Sequence, residues 1–178
     1  MARKAAEKRG RELLASVDGT LLERYSIVGL VLAIETGDVS QQLVKLSANE
    51  KTNFLMAYSC CMIWAIKNGI SLVVNQEVVQ ATVVAMHRYL SKNNRFQQEA
   101  LAKIWSRTEQ MMLIAFNTDP NAPPPYPIAQ MLMAATQAGY PINMSVGIDI
   151  RFGIHMLVMM KHLSETAQMA ANEHLERG

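Results

Sequence analysis

The chain has no proline in its first 119 residues, because all six prolines of its 178 residues fall between Pro120 and Pro141. The proline ring fixes φ and removes a backbone donor, so proline interrupts helices. The proline-free part carries Leu, Ile, Val, Ala and Met at the spacing of one helix face. The sequence therefore predicts an all-α fold made of long helices.

Cysteine is also scarce. The chain has two, Cys60 and Cys61, which are adjacent and cannot form a disulfide framework. They fall inside a predicted helix, where we expect them to act as small buried hydrophobic side chains. The expected compartment is a reducing cytoplasm. The basic N-terminus lacks the apolar core of a signal peptide, and no segment reaches the roughly 18 apolar residues that a membrane span needs.

Charged residues make up 18% of the chain, and from Gln110 to Met160 the only ones are Asp119, Asp149 and Arg151. Ordinary soluble proteins contain about 25%. Three explanations fit: a central hairpin wrapped by other helices, contact with a partner or second subunit, or membrane association. Nine of the 13 methionines lie between Met111 and Met169, and Met suits both irregular cores and adaptable interfaces. The candidate interface residues are Met111, Met112, Tyr126, Met131, Met133 and Met144.

The proline segment divides the predicted fold. The length of the chain favours a single domain, residues 1–178, built as a bundle of six or seven helices. We expect a main bundle over 1–117, a Pro-rich connector or loop over 118–127, and a C-terminal helical hairpin over 128–178.

Individual helix boundaries follow from caps and breaks. An apolar stripe over 14–32 predicts one bent helix or two. The capping box Ser47-Ala48-Asn49-Glu50 predicts a helix start, and Gly69 is expected to end that helix near residue 68 in a left-handed conformation. Its middle, 54–66, is apolar on nearly every face and should lie at the centre of the fold.

Two further helices are predicted over about 76–91 and 95–116. The last stretch is ambiguous at its start, because 146–154 alternates like a strand while also fitting a helical stripe. The helical pattern continues to the C-terminus, so we favour one helix from about Ser145 to Leu175.

The sequence contains no motif that specifies chemistry. His155 and His162 lie seven residues apart, a spacing that prevents both from holding one metal on a single helix. Neither a Gly-x-Ser-x-Gly turn nor a phosphate-binding glycine loop is present. We expect no metal, no cofactor and no catalytic activity. Glu109 and Asp149 are the carboxylates expected to face the interior, and a buried Asp149 would pair with Arg151 or Arg107 in a structural salt bridge.

Basic residues form two clusters, one in the first eleven residues and one around the turn at 88–95. Solvated helix faces would explain them, and the net charge of +2 is small for a nucleic-acid binder. The sequence thus favours a non-enzymatic helical interaction protein, acting by self-assembly or as an inhibitor, adaptor or complex subunit. The alternative is a nucleic-acid-associated helical subunit, such as a coat or ribonucleoprotein component. Its candidate phosphate contacts are Arg3, Lys4, Arg88, Lys92 and Arg95.

Overall fold

A computed structural model describes residues 2–16, 47–93, 96–117 and 146–176. Within these ranges all regular secondary structure is helical, which confirms the all-α prediction for this part of the chain. The connector 118–127, the first half of the predicted hairpin and most of the 14–32 stripe lie outside the described residues. The described helices are α1 (Ala2–Ser16), α2 (Ala48–Ser71), α3 (Gln76–Asn93), α4 (Gln98–Phe116) and α5 (Val146–Glu176). None of these five helices is long and apolar enough to cross a lipid bilayer.

Helix α2 occupies the centre of the fold and packs against α3, α4 and α5. It begins at the predicted capping box. The Ser47 Oγ accepts a hydrogen bond from the Glu50 N–H, and the Glu50 carboxylate accepts one from the Ser47 N–H at 2.6 Å. From Phe54 to Ile66 almost every side chain is buried, as predicted.

The predicted end of α2 is wrong. The helix continues through Gly69 to Ser71 and ends where the Ile70 carbonyl accepts hydrogen bonds from the N–H groups of Val73 and Val74. Gly69 has another role, because its missing side chain lets the backbone of Ser164 on α5 approach closely. A Cβ at Gly69 would lie 2.9 Å from the Ser164 carbonyl carbon and closer still to its oxygen.

Helices α3 and α4 follow their predicted stripes. On α3 the buried residues include Val79, Val83, Met86 and Leu90, and Val78 and Thr82 are buried as well. Helix α4 starts at Gln98 rather than near residue 95, because Gln97 is extended (φ −67°, ψ 127°).

Helix α1 was not predicted from the sequence, which left the basic N-terminus as an arm. It packs mainly on α3 and contacts α5. Gly10 lies against Ala81, so close that an added Cβ would come within 2.8 Å of Ala81. Leu13, three residues after Gly10, lines a cleft with Val78, three residues before Ala81. This order shows that α1 runs antiparallel to α3.

Helix α5 settles the ambiguity at 146–154, which is helical. Its observed bounds agree with the predicted helix to within one residue. The residues facing the core include Met156, Met160, Leu163, Ala167 and Ala171. Ser164 lies opposite Gly69, and His174 shares a cleft with Val73, so α5 runs parallel to α2.

Candidate partner-binding groove

Helices α4 and α5 both pack on α2, and an apolar groove of about 570 Å³ lies between them. Helix α2 forms its floor, while α4 and α5 form its walls. We call this surface the apolar groove. Its lining residues are Trp64, Ala65, Asn68, Met112, Leu113, Phe116, Asn117, Leu157, Met160, Lys161 and Ser164.

The α4 wall combines buried and exposed apolar side chains. Met112 is fully buried at the base, and the ring of Phe116 stacks on that of Trp64 with 5.1 Å between centroids. Leu113 is 58% exposed and Phe116 44% exposed. Each exposed Å² of apolar surface costs about 25 cal/mol in water relative to a buried state. Covering this wall with another apolar surface therefore lowers the free energy of the system.

The exposed apolar surface continues beyond the groove along α5. Val158, which follows the lining residue Leu157, is 63% exposed, and Ile154 lies one turn earlier at 49%. Lys161 stands at the polar rim, where its Nζ lies 4.0 Å from the Glu165 carboxylate. The surface is thus longer than the groove itself and carries its charge at one edge.

A polar cluster lies one helical turn from Trp64 and joins α2, α3 and α4. The Lys67 Nζ donates to the Glu109 carboxylate at 2.6 Å, with both side chains at least partly buried. The same ammonium lies 5.8 Å from the centre of the Trp105 ring. His87 meets that ring edge-on, with 4.9 Å between centroids. We call Lys67, His87, Trp105 and Glu109 the ionic–aromatic cluster.

The cluster favours a neutral His87. Burial lowers the pKa of this imidazole, and the negative charge of Glu109 opposes that change. No described residue forms a hydrogen bond with the buried Nε2 atom. Glu109 is only partly buried, with its side chain 35% exposed, and it pairs with Lys67 on another helix. The Asp149 side chain lies outside the described part.

Both cysteines are buried in α2, as predicted. Burial raises the pKa of the Cys60 thiol to about 12, with a smaller opposing effect from a hydrogen bond to Thr108. Burial also raises the pKa of Cys61 well above its usual value. Because the thiolate is the nucleophilic form, neither cysteine is activated for nucleophilic chemistry in this fold.

The structure describes two of the six predicted interface residues. Met112 forms the base of the groove, and Met111 is half-buried against the core. The other four, Tyr126, Met131, Met133 and Met144, lie outside the described residues.

Of the predicted phosphate contacts, Lys4, Arg88 and Lys92 are exposed. Arg3 lies in the first turn of α1, and Arg95 is outside the described part. His162 is exposed on α5. Across the described ranges, no group of three or more His, Cys, Asp or Glu side chains could hold a metal ion.

Sequence reasoning missed most of the groove. On α4, Thr108 and Met112 are buried, which leaves Leu113 and Phe116 as apolar residues off the core-facing stripe. Val158 is off the stripe of α5 in the same way. Apolar residues outside the core-facing stripe were the available signal.

Comparisons of the chain with protein-family models, curated proteins and solved structures found no match. The function is therefore inferred from the groove and from the side chains around it.

Proposed function

We propose that this chain is a non-enzymatic helical protein that acts by binding another protein, and that the apolar groove receives the apolar face of a partner helix. The observation that carries the proposal is the exposed apolar surface formed by Leu113 and Phe116 on the α4 wall, together with Val158 and Ile154, which extend it along α5 outside the groove lining. Two helix walls over a helical floor resemble the helix-in-groove mode of peptide recognition, in which residues at i, i+3 or i+4, and i+7 fill the groove.

The shape of the surface favours a helix over a small molecule. Small-molecule sites enclose most of their ligand and aim a few polar groups at it. Here the apolar surface runs out of the groove to Val158 and Ile154, where it faces open solvent. The polar residues Lys161 and Asn117 stand among the lining residues and suit the polar rim of a protein interface.

The partner is either a different protein, with this chain acting as a complex subunit, adaptor or inhibitor, or a second copy of this chain. We propose the first, since the apolar groove is concave and a symmetric dimer needs a surface that complements itself. The cysteine content supports the cytoplasm as the compartment. We further propose that the chain has no catalytic role. A metal or organic cofactor that stayed bound in stoichiometric amount through dialysis would contradict this part of the proposal.

The test compares two matched double variants. Leu113→Gln/Val158→Gln adds polar groups to the groove and to the apolar surface that continues from it along α5. Leu72→Gln/Met169→Gln does the same to similarly exposed residues away from both, which are 74% and 64% exposed. We expect the wild-type chain and the control to recover the same partner from cell extract. The groove variant should bind that purified partner at least roughly tenfold more weakly, since interface anchors commonly contribute 1 kcal/mol or more.

Analytical ultracentrifugation of the pure chain separates the two kinds of partner. If the pure chain self-associates and the groove variant abolishes that self-association, the occupant of the groove is a second copy of the chain and not another protein. Unchanged partner binding by the groove variant would overturn the assignment of the groove. A monomer that recovers no partner would contradict the proposal as a whole.

A further inference from the structure

A second surface lies at the end of the α1–α3 pair, where the two predicted basic clusters meet. Because α1 runs antiparallel to α3 with Gly10 against Ala81, the N-terminal end of α1 lies beside the C-terminal end of α3. Ala6 and Glu7 line a cleft that runs along α3 from Gln76 and Glu77 to Val84 and Arg88. Residues that are more than 80 positions apart in the chain therefore share one end of the helix pair.

Helix geometry places Lys4 and Arg88 at similar heights along the helix pair. Lys4 is six residues from Gly10, or about 9 Å along the axis at 1.5 Å per residue. Arg88 is seven residues from Ala81 in the same direction, or about 10.5 Å. Lys92 lies one further turn along α3. The three cations therefore lie toward the same end of the helix pair, which we call the cationic end.

The charges at the cationic end are not neutralised within the described structure. Lys4, Arg88 and Lys92 are exposed, and none forms an ion pair with another described residue. In contrast, the next cation of α1, Lys8, pairs with Glu12 at 3.7 Å. Two acidic residues, Glu7 and Glu77, line the cleft that also contains Arg88. Three unpaired cations on two helices provide a favourable potential for a polyanion.

We infer that the cationic end binds the phosphate backbone of a nucleic acid, a function separate from that of the apolar groove. An anionic membrane fits less well, because helices that lie on membranes insert a broad apolar face. The apolar face of α1 is directed at the protein, with Leu13 fully buried. Among the described residues of α1 and α3, the one exposed large hydrophobic side chain is Val84.

The experiment measures binding of a fluorescent single-stranded RNA oligonucleotide to the full chain at several salt concentrations. Three phosphate contacts to a single strand predict a slope of about −2 for log K against log salt, or a roughly 20-fold loss of affinity between about 50 and 200 mM. Arg88→Gln/Lys92→Gln should make the slope shallower by about 1.4, and adding Lys4→Gln by about 0.7 more.

The control Lys103→Gln/Arg107→Gln removes the same charge from exposed positions of α4, which packs on α2 and α3. It should leave the slope unchanged, as should the groove variant Leu113→Gln/Val158→Gln. Absence of RNA binding at the lowest salt would overturn the inference. So would equal flattening of the slope by the α4 control, or binding to anionic lipid vesicles, but not RNA, that depends on Lys4, Arg88 and Lys92.

Discussion

Gly69 controls the distance between the two longest described helices. The sequence suggested a helix terminator at this position, because glycine favours the left-handed conformation that ends many helices. In the fold the residue is helical, and its hydrogen atom faces the Ser164 backbone. One sequence cannot separate these two uses of glycine, since both depend on the missing Cβ.

Gly69→Ala should destabilise the fold by about 1–3 kcal/mol, because backbone atoms on α5 cannot move aside as a flexible side chain could. Helix propensity alone would give the opposite sign, a stabilisation of about 1 kcal/mol. The sign of the change in the urea midpoint therefore decides between the two effects. Ser71→Ala, at an exposed position in the same last turn, is the control and should change stability by less than about 0.5 kcal/mol.

His87 should make stability depend on pH. Its pKa is lower in the folded chain than the usual value of 6.5, so the unfolded chain binds this proton more readily. The associated stability is complete above that usual value and is lost as the pH falls toward the lower folded pKa. The charged groups in the cluster with this imidazole are Glu109 on α4 and Lys67 on α2.

We expect wild-type protein to lose more stability between about pH 7.5 and about pH 5.5 than His87→Gln, which cannot take up this proton. Urea midpoints at the two pH values measure the difference. Equal losses in the two proteins would show that His87 does not contribute.

Between elements, the Lys67–Glu109 pair joins α2 to α4. The Nζ–Oε1 distance is 2.6 Å, and the side chains are 22% and 35% exposed. Sequence reasoning expected an interior carboxylate at Glu109 but could not identify the partner, because 42 residues separate the two and helix pairing is not visible in a local pattern.

A double-mutant cycle with Lys67→Met and Glu109→Gln should give a coupling energy of about 1–2 kcal/mol, since either single change leaves a partly buried charge without its partner. The exposed pair Lys161–Glu165 is the matched control. Its side chains are 79% and 61% exposed, and its coupling should stay below about 0.5 kcal/mol. Comparable coupling in both pairs would mean that burial does not strengthen the Lys67–Glu109 contact.

Element boundaries were predictable where a side chain defines them. The capping box sets the start of α2, and the unbroken stripe over α5 outweighs the short alternation at 146–154. Helix α1 was missed because its apolar stripe is short, although Ala, Lys, Arg and Glu have high helix propensity. Its stability as a helix depends on packing against α3 through Gly10, which no local pattern reveals.

At the scale of the whole molecule, the sequence predicted the helical class and the central position of α2, but not the groove. A stripe predicts which face of a helix is buried, whereas a groove depends on how far apart two helices pack on a third. Leu113 and Val158 belong to helices separated by 28 residues whose placement is not described. The basic clusters were visible in the sequence, and their meeting required the antiparallel contact of α1 with α3.

Because Cys60 and Cys61 are buried in the central helix α2, the rate at which their thiols react measures how often the folded chain opens. These are the two cysteines of the chain. Alkylation requires reagent access and a thiolate, and burial in the folded core disfavours both for each cysteine. Slow thiol labelling thus counts the rare openings of α2, without an introduced probe. Because a bound partner lowers the population of open molecules, labelling in intact cells would compare free and occupied protein directly.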